Sequence, residues 1–116
     1  MKDKDRDILR KIWDHARKVI KYSKNCKTYE EFAESDLISD ACIFNIMQIG
    51  ELAKNELSDD AKNQIVSIPW KNIYGMRNRI VHGYSYVSMN IIWDTVRENI
   101  PELEKEISAF LNDKET

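Results

Sequence analysis

Between Ala41 and Ala53 the chain reads ACIFNIMQIGELA, apolar on nearly every side of a helix. A helix of that kind has to be covered by neighbours from several directions, which points to a helical bundle. The preceding segment offers a first neighbour. Ile8, Leu9, Ile12, Trp13, Ala16, Val19 and Ile20 recur at helical spacing, with Lys, Arg and Asp on the other side. The run KNCKT breaks that helix. Thr28 followed by Glu31 is a capping-box pattern and predicts a short helix over YEEFAES. Ser35 or Asp36 then caps a third helix expected to reach about Leu57. Its polar exceptions, Asn45, Gln48 and Glu51, are spaced by three and form a slowly drifting line. Buried polar groups need partners, and a buried carboxylate needs a cationic one.

After a linker expected to hold one helical turn, Ser67 and Pro69 open a fourth helix, which should run to His82 and stop at Gly83. Ser88 caps a fifth helix carrying Ile91, Ile92, Val96 and Ile100. Pro101 is expected to kink or restart it before Leu103, Ile107, Phe110 and Leu111 continue the apolar stripe. Only three Gly and two Pro leave little punctuation for a many-turned β fold. The expected architecture is an all-α antiparallel bundle of four main helices plus a short one, a single domain over residues 1–116. The charged N-terminus has no signal-peptide pattern, and no apolar run approaches membrane-spanning length. Cys26 and Cys42 are too few for a disulfide framework or a zinc site. A reduced, cytoplasmic protein without cofactor is the expectation.

Charge is unevenly distributed. From Ala61 to Trp93 there is no Asp or Glu, and this stretch carries +4 while the rest of the chain carries −6. The net charge of −2 excludes wholesale coating of nucleic acid and leaves room for a local basic site. On a wheel with Trp70 at zero, Ile73, Tyr74, Met76, Ile80 and Val81 fall on one apolar arc, advancing about 100° per residue. Arg77 falls inside that arc and Arg79 opposite, on the solvent side. Arg77 is therefore either a structural arginine paired with a buried acid, for which Glu51 is the natural partner, or the anion-holding wall of a cleft; the two roles are compatible. His82, on the edge of the arc in the last turn, could be a helix cap, and Tyr84 an aromatic lid.

Together these residues describe a phosphate site. A guanidinium stabilises charge on a phosphorane oxygen, an imidazole transfers protons, and a phenol supplies a hydrogen bond or a modifiable hydroxyl. No carboxylate cluster is present near them to hold Mg²⁺. RNA can be cut without a metal, because its own 2′-hydroxyl attacks the adjacent phosphate.

The segment RNRIVHGY, Arg77-x-x-x-x-His82-x-Tyr84 with polar Asn78 after the arginine, resembles the signature of the HEPN ribonucleases, in particular the HepT toxins of HepT–MntA toxin–antitoxin pairs. IGELAK in the third helix, PWKNIYGMRNRIVHGY through the fourth, Trp93 and IPEL extend the resemblance over most of the chain. The resemblance implies an all-helical homodimer whose two motifs face a shared cleft and cut RNA without metal. It implies Arg77 and His82 as catalytic residues; beside them Asn78, Arg79, Glu51 and Lys71 are expected as auxiliary or RNA contacts. It also implies a cognate MntA-like minimal nucleotidyltransferase that silences the toxin by transferring AMP to Tyr84. Arg77 and His82 are five apart, about 140° round a helix, so they converge only if the arginine swings across or a second subunit completes the site. The competing expectation is a non-catalytic helical partner of a nucleotidyltransferase. A plain structural bundle would leave Arg77 and the acid-free stretch unexplained.

Overall fold

The computed structural model describes residues 1–83 and 88–115, the last three by backbone alone. It is an all-α bundle. Helix α1 spans Asp3–Ser23, α2 Tyr29–Glu34, α3 Asp36–Glu51, α4 Asp59–Gln64, α5 Trp70–Gly83, α6 Met89–Asp94 and α7 Ile100–Glu115. Helix α3 lies between α1 and α5, and α1 also packs on α7. Leu9, Ile12, Ala16 and Val19 of α1 are fully buried, as their spacing predicts. The short helix α2 sends Phe32 inward against Trp93 of α6, with ring centroids 5.1 Å apart. Trp13 Nε1 donates to Glu104 Oε1 at 3.1 Å and ties α1 to α7.

The caps follow the sequence pattern. Thr28 Oγ1 accepts from Glu31 N at 3.2 Å, and Ser35 Oγ accepts from Ile38 N at 3.3 Å. Pro69 stands just before α5, and its carbonyl accepts from the Asn72 and Ile73 amides. The linker predicted before α5 contains α4, six residues capped by Ser58. Trp70 Nε1 donates to the carbonyls of Lys62 and Ile65 at the end of α4, so the linker fixes where α5 begins.

Three expectations are corrected. Helix α3 does not run as a regular helix to Leu57; it widens into a π turn over Leu52–Glu56, closed by Leu57 N donating to Leu52 O. Pro101, by contrast, falls where its helix restarts as expected, at the second residue of α7. A second π turn, Thr95–Asn99, precedes it, and the Ile100 amide reaches back to Thr95 O. The wider turn accommodates the proline ring, which would otherwise crowd the preceding carbonyls. Finally, α5 buries less of its apolar arc than the wheel suggests. Trp70 and Ile80 are buried, but Val81 is 42% exposed, because α5 packs chiefly on α3 and its π turn. Helix α3 itself is not covered all round, since Leu37 and Phe44 are exposed. Among the described residues no helix is long and apolar enough to cross a membrane.

The buried Asp5 joins the start of α1 to the start of α4. Its carboxylate accepts from Ser58 N at 3.0 Å and Ser58 Oγ at 2.7 Å. Burial pushes the Asp5 carboxyl up, but the two Ser58 bonds, helped by Lys2 and Lys4, outweigh it and hold the carboxyl below its usual value. A depressed carboxylate stabilises the fold above the unfolded-state value and loses that contribution as pH falls through the folded-state value. Asp5→Ala is expected to cost about 1–3 kcal/mol by leaving the Ser58 amide without a partner. Thermal melts at pH 7 and pH 3 check this: the gap between wild type and Asp5→Ala should narrow in acid.

Candidate functional site

Helices α3 and α5 lie close together where Gly50 faces Arg77. A Cβ on Gly50 would collide with the Arg77 Cβ and lie 2.8 Å from its Cγ. The glycine is required by that close approach. It lets the arginine stem lie flat against α3, and the next residue, Glu51, receives the Arg77 Nε at 2.6 Å. Arg77 Nη1 donates to Asn78 Oδ1 at 2.9 Å, and that same oxygen accepts from Lys54 Nζ at 3.3 Å. Asn55 Nδ2 completes the cluster by donating to Glu51 Oε2 at 2.8 Å. Four polar side chains, from α3, its π turn and α5, thus cluster around one guanidinium.

The predicted Glu51–Arg77 pair is present, though not deeply buried. The arginine side chain keeps 16% of its exposure and the glutamate 33%. The Arg77 hydrogen bond holds the Glu51 carboxyl below its usual value against the opposing effect of burial; the Arg77 charge, Asn55 and Lys54 add to the lowering. Glu51 is therefore a carboxylate at neutral pH, oriented by Asn55 and orienting Arg77. A guanidinium held through Nε and Nη1, and still partly open to solvent, has donors left that can meet an anion.

The line Asn45, Gln48, Glu51 does not serve a single partner. Asn45 points toward α1, where its Oδ1 lies 2.8 Å from His15 Nδ1 while its Nδ2 donates to Ala41 O. Because the amide nitrogen is already donating to Ala41, the oxygen accepts from His15. Glu51 points toward α5. Lys54 and Asn55 were not anticipated from sequence. Both stand one turn beyond Glu51, a spacing that signals proximity, but the π turn that aims them at Asn78 and Glu51 has no sequence signature of its own.

His82 is exposed in the last turn of α5. Lys71 and Arg79 lie apart from the Arg77 network. They line a cleft of about 420 Å³ on the other flank of α5, floored by Ile46, Ile49, Met76 and Leu103 and walled opposite by Asp94 and Glu102. The positive charge of the acid-free stretch is accordingly dispersed: Lys62 lies over the Tyr74 ring at 5.0 Å, and Arg77 is offset by Glu51. Tyr84 lies outside the described residues. The Cys42 thiol is pushed up to about 12 by burial and is inert. Among the described residues no three His, Cys, Asp or Glu side chains converge as a metal site requires.

The Ribonuclease HepT-like family matches residues 12–110, from the middle of α1 through most of α7, and so includes the whole Glu51–Arg77 cluster and His82. The chain belongs to the HepT-like ribonuclease family. Similar proteins include one from Caldanaerobacter subterraneus subsp. tengcongensis named as a putative RNase, 36% identical over 72% of this chain and 74% of its own. Another of that description, from Methanocaldococcus jannaschii, is 33% identical over 95% of this chain and 92% of its own. A protein of Thermococcus cleftensis named as a probable ribonuclease HepT is 30% identical over 90% of this chain and 93% of its own. No solved structure matches the chain.

For this HepT-like chain, Gly50→Ala tests whether the close approach sets the site. The added methyl forces α5 away from α3 or displaces the arginine stem, at a cost of about 1–3 kcal/mol. The expected result is a lower melting temperature. Gly50→Ala melting like wild type would show that α5 shifts freely.

Proposed function

We propose that this protein is a metal-independent endoribonuclease toxin, with Arg77 and His82 as its catalytic residues. The observation that carries the proposal is the preorganised Arg77, aimed by Glu51 and Asn78 and backed by Gly50. In the reaction the RNA 2′-hydroxyl attacks the adjacent phosphorus and the bond to the 5′-oxygen breaks, leaving a 2′,3′-cyclic phosphate and a 5′-hydroxyl. Charge grows on the non-bridging oxygens, where the guanidinium stabilises it. His82 transfers a proton, either from the attacking hydroxyl or to the leaving oxygen. Glu51 and Asn78 are positioning residues, and Lys54 adds positive charge beside them.

The protein acts as a homodimer in this reading, because Arg77 and His82 lie on different faces of α5 and a second copy would complete the site. Its partner is a minimal nucleotidyltransferase of the MntA type, which transfers AMP to Tyr84. AMP would put an anion at the guanidinium and repel RNA by like charge. A non-catalytic partner of the same enzyme is the second reading, but such a subunit would have no use for a preorganised arginine.

Cleavage of a labelled RNA in the presence of EDTA tests the proposal. Arg77→Ala and His82→Ala should each reduce the rate by about 10²–10⁴ while remaining folded. Wild-type rates in either variant would remove that residue from the chemistry. For the modification, wild type and Tyr84→Phe are incubated with the nucleotidyltransferase and ATP, then weighed intact. A mass gain of one AMP on wild type alone is expected; equal gains on both would place the modification elsewhere.

A further inference from the structure

The cleft between α5 and the α6–α7 segment, about 420 Å³, falls among the sites that take small ligands, roughly 300–1,000 Å³. Its floor of Ile46, Ile49, Met76 and Leu103 is apolar, and its two walls carry opposite charge. Lys71 and Arg79 stand on α5, about two turns apart, and Asp94 and Glu102 stand opposite. All four are exposed, and none has an ion-pair partner among the described residues. The walls therefore do not close on each other, and each keeps its charge for a ligand.

Gly75 links this cleft to the candidate catalytic residues. It lines the cleft and stands three residues before Asn78, itself four before His82, so the three share one row along α5. A Cβ on Gly75 would meet no atom within 4 Å. Packing within the subunit does not demand the glycine, yet glycine weakens a helix. Its missing side chain leaves a saddle in the ridge between the cleft and the Arg77 flank. Asn78 adds a donor beside that saddle, because its Oδ1 already accepts from Arg77 and Lys54 and its Nδ2 remains to donate.

We propose that this cleft is a nucleobase pocket for single-stranded RNA that selects guanine, with the strand crossing α5 at Gly75 on its way to Arg77 and His82. The phosphates run along the basic wall, where Lys71 and Arg79 meet them. An unstacked base lies on the apolar floor, and only its uncharged edge reaches Asp94 and Glu102. The acidic wall then reads the base without meeting the backbone. A carboxylate accepts and does not donate, so it favours a base edge with adjacent donors. Guanine has such an edge, its ring N1–H beside its exocyclic amine. Uracil has one N–H between two carbonyls, which a carboxylate repels. This inference rests on the ribonuclease reading above and names the base selected beside its site.

Fluorescence anisotropy with two strands tests the pocket: octauridine, and the same strand with one central guanosine, both 2′-O-methylated so that they are not cut. Wild type should hold the guanosine strand about tenfold more tightly. Asp94→Ala with Glu102→Ala should abolish that difference. Gly75→Leu should weaken both strands alike while helical circular dichroism is kept, since the new side chain meets nothing within the subunit. Equal affinity of wild type for the two strands overturns the inference, as does a guanosine preference that survives the double substitution. Unchanged binding by Gly75→Leu overturns it as well, because the strand then does not cross there. Variants that alter sedimentation and leave RNA binding untouched also overturn it and give the cleft to a protein contact. Guanosine-selective binding with no cleavage of unmodified RNA would uphold the pocket and overturn the ribonuclease reading; cleavage without base selection does the reverse.

Discussion

The contact between Gly50 and Arg77 is the constraint on which the functional end of this molecule rests. Helix α5 packs chiefly on α3 and its π turn, so the place where those two helices can approach decides where the whole motif stands. An arginine stem is bulky, and laying it against a neighbouring helix at this distance leaves no room for a Cβ opposite. With glycine there, the guanidinium is delivered to the carboxylate of the very next residue, Glu51. Packing and electrostatics are thereby joined: the steric requirement at residue 50 places the charge requirement at residue 51. The cluster that follows from it is held at both ends, by Asn55 on the glutamate and by Asn78 and Lys54 on the other side of the arginine.

Charge is organised differently from what its distribution along the chain suggests. The acid-free segment looks like one basic patch, yet folding separates its cations. Arg77 is paired, Lys62 covers an aromatic ring, and Lys71 and Arg79 turn to a cleft with acids on its opposite wall. What the absence of acids achieves locally is a helix α5 without a carboxylate of its own, so the acid that orients Arg77 must come from another helix. That arrangement fixes the guanidinium across a tertiary contact rather than along one helix surface, where a flexible i,i+4 pair would hold it weakly. A partly solvated pair also leaves the arginine oriented without being enclosed, which is what the proposed reaction asks of it.

Much of this architecture was legible in the sequence because helical periodicity and capping are local properties. The burial of α1, the caps at Thr28 and Ser35 and the Glu51–Arg77 pair follow from spacing and from the need of a buried charge for a partner. The family resemblance singled out His82 and Tyr84 as functional, a choice the helical wheel alone does not make. Tertiary structure decided what depends on distance between helices. It assigned Gly50 to a close approach and left Gly75 facing open space, though the two glycines look alike in the chain. It introduced the π turns, which arise where packing and a downstream proline override the regular hydrogen-bond register. It brought Lys54 and Asn55 to the arginine, and it sent Lys71 and Arg79 to a different surface from Arg77. The physical reason is common to all of these: sequence spacing fixes the angle of a side chain about its own helix axis, and only the packing of one helix on another fixes what that side chain meets.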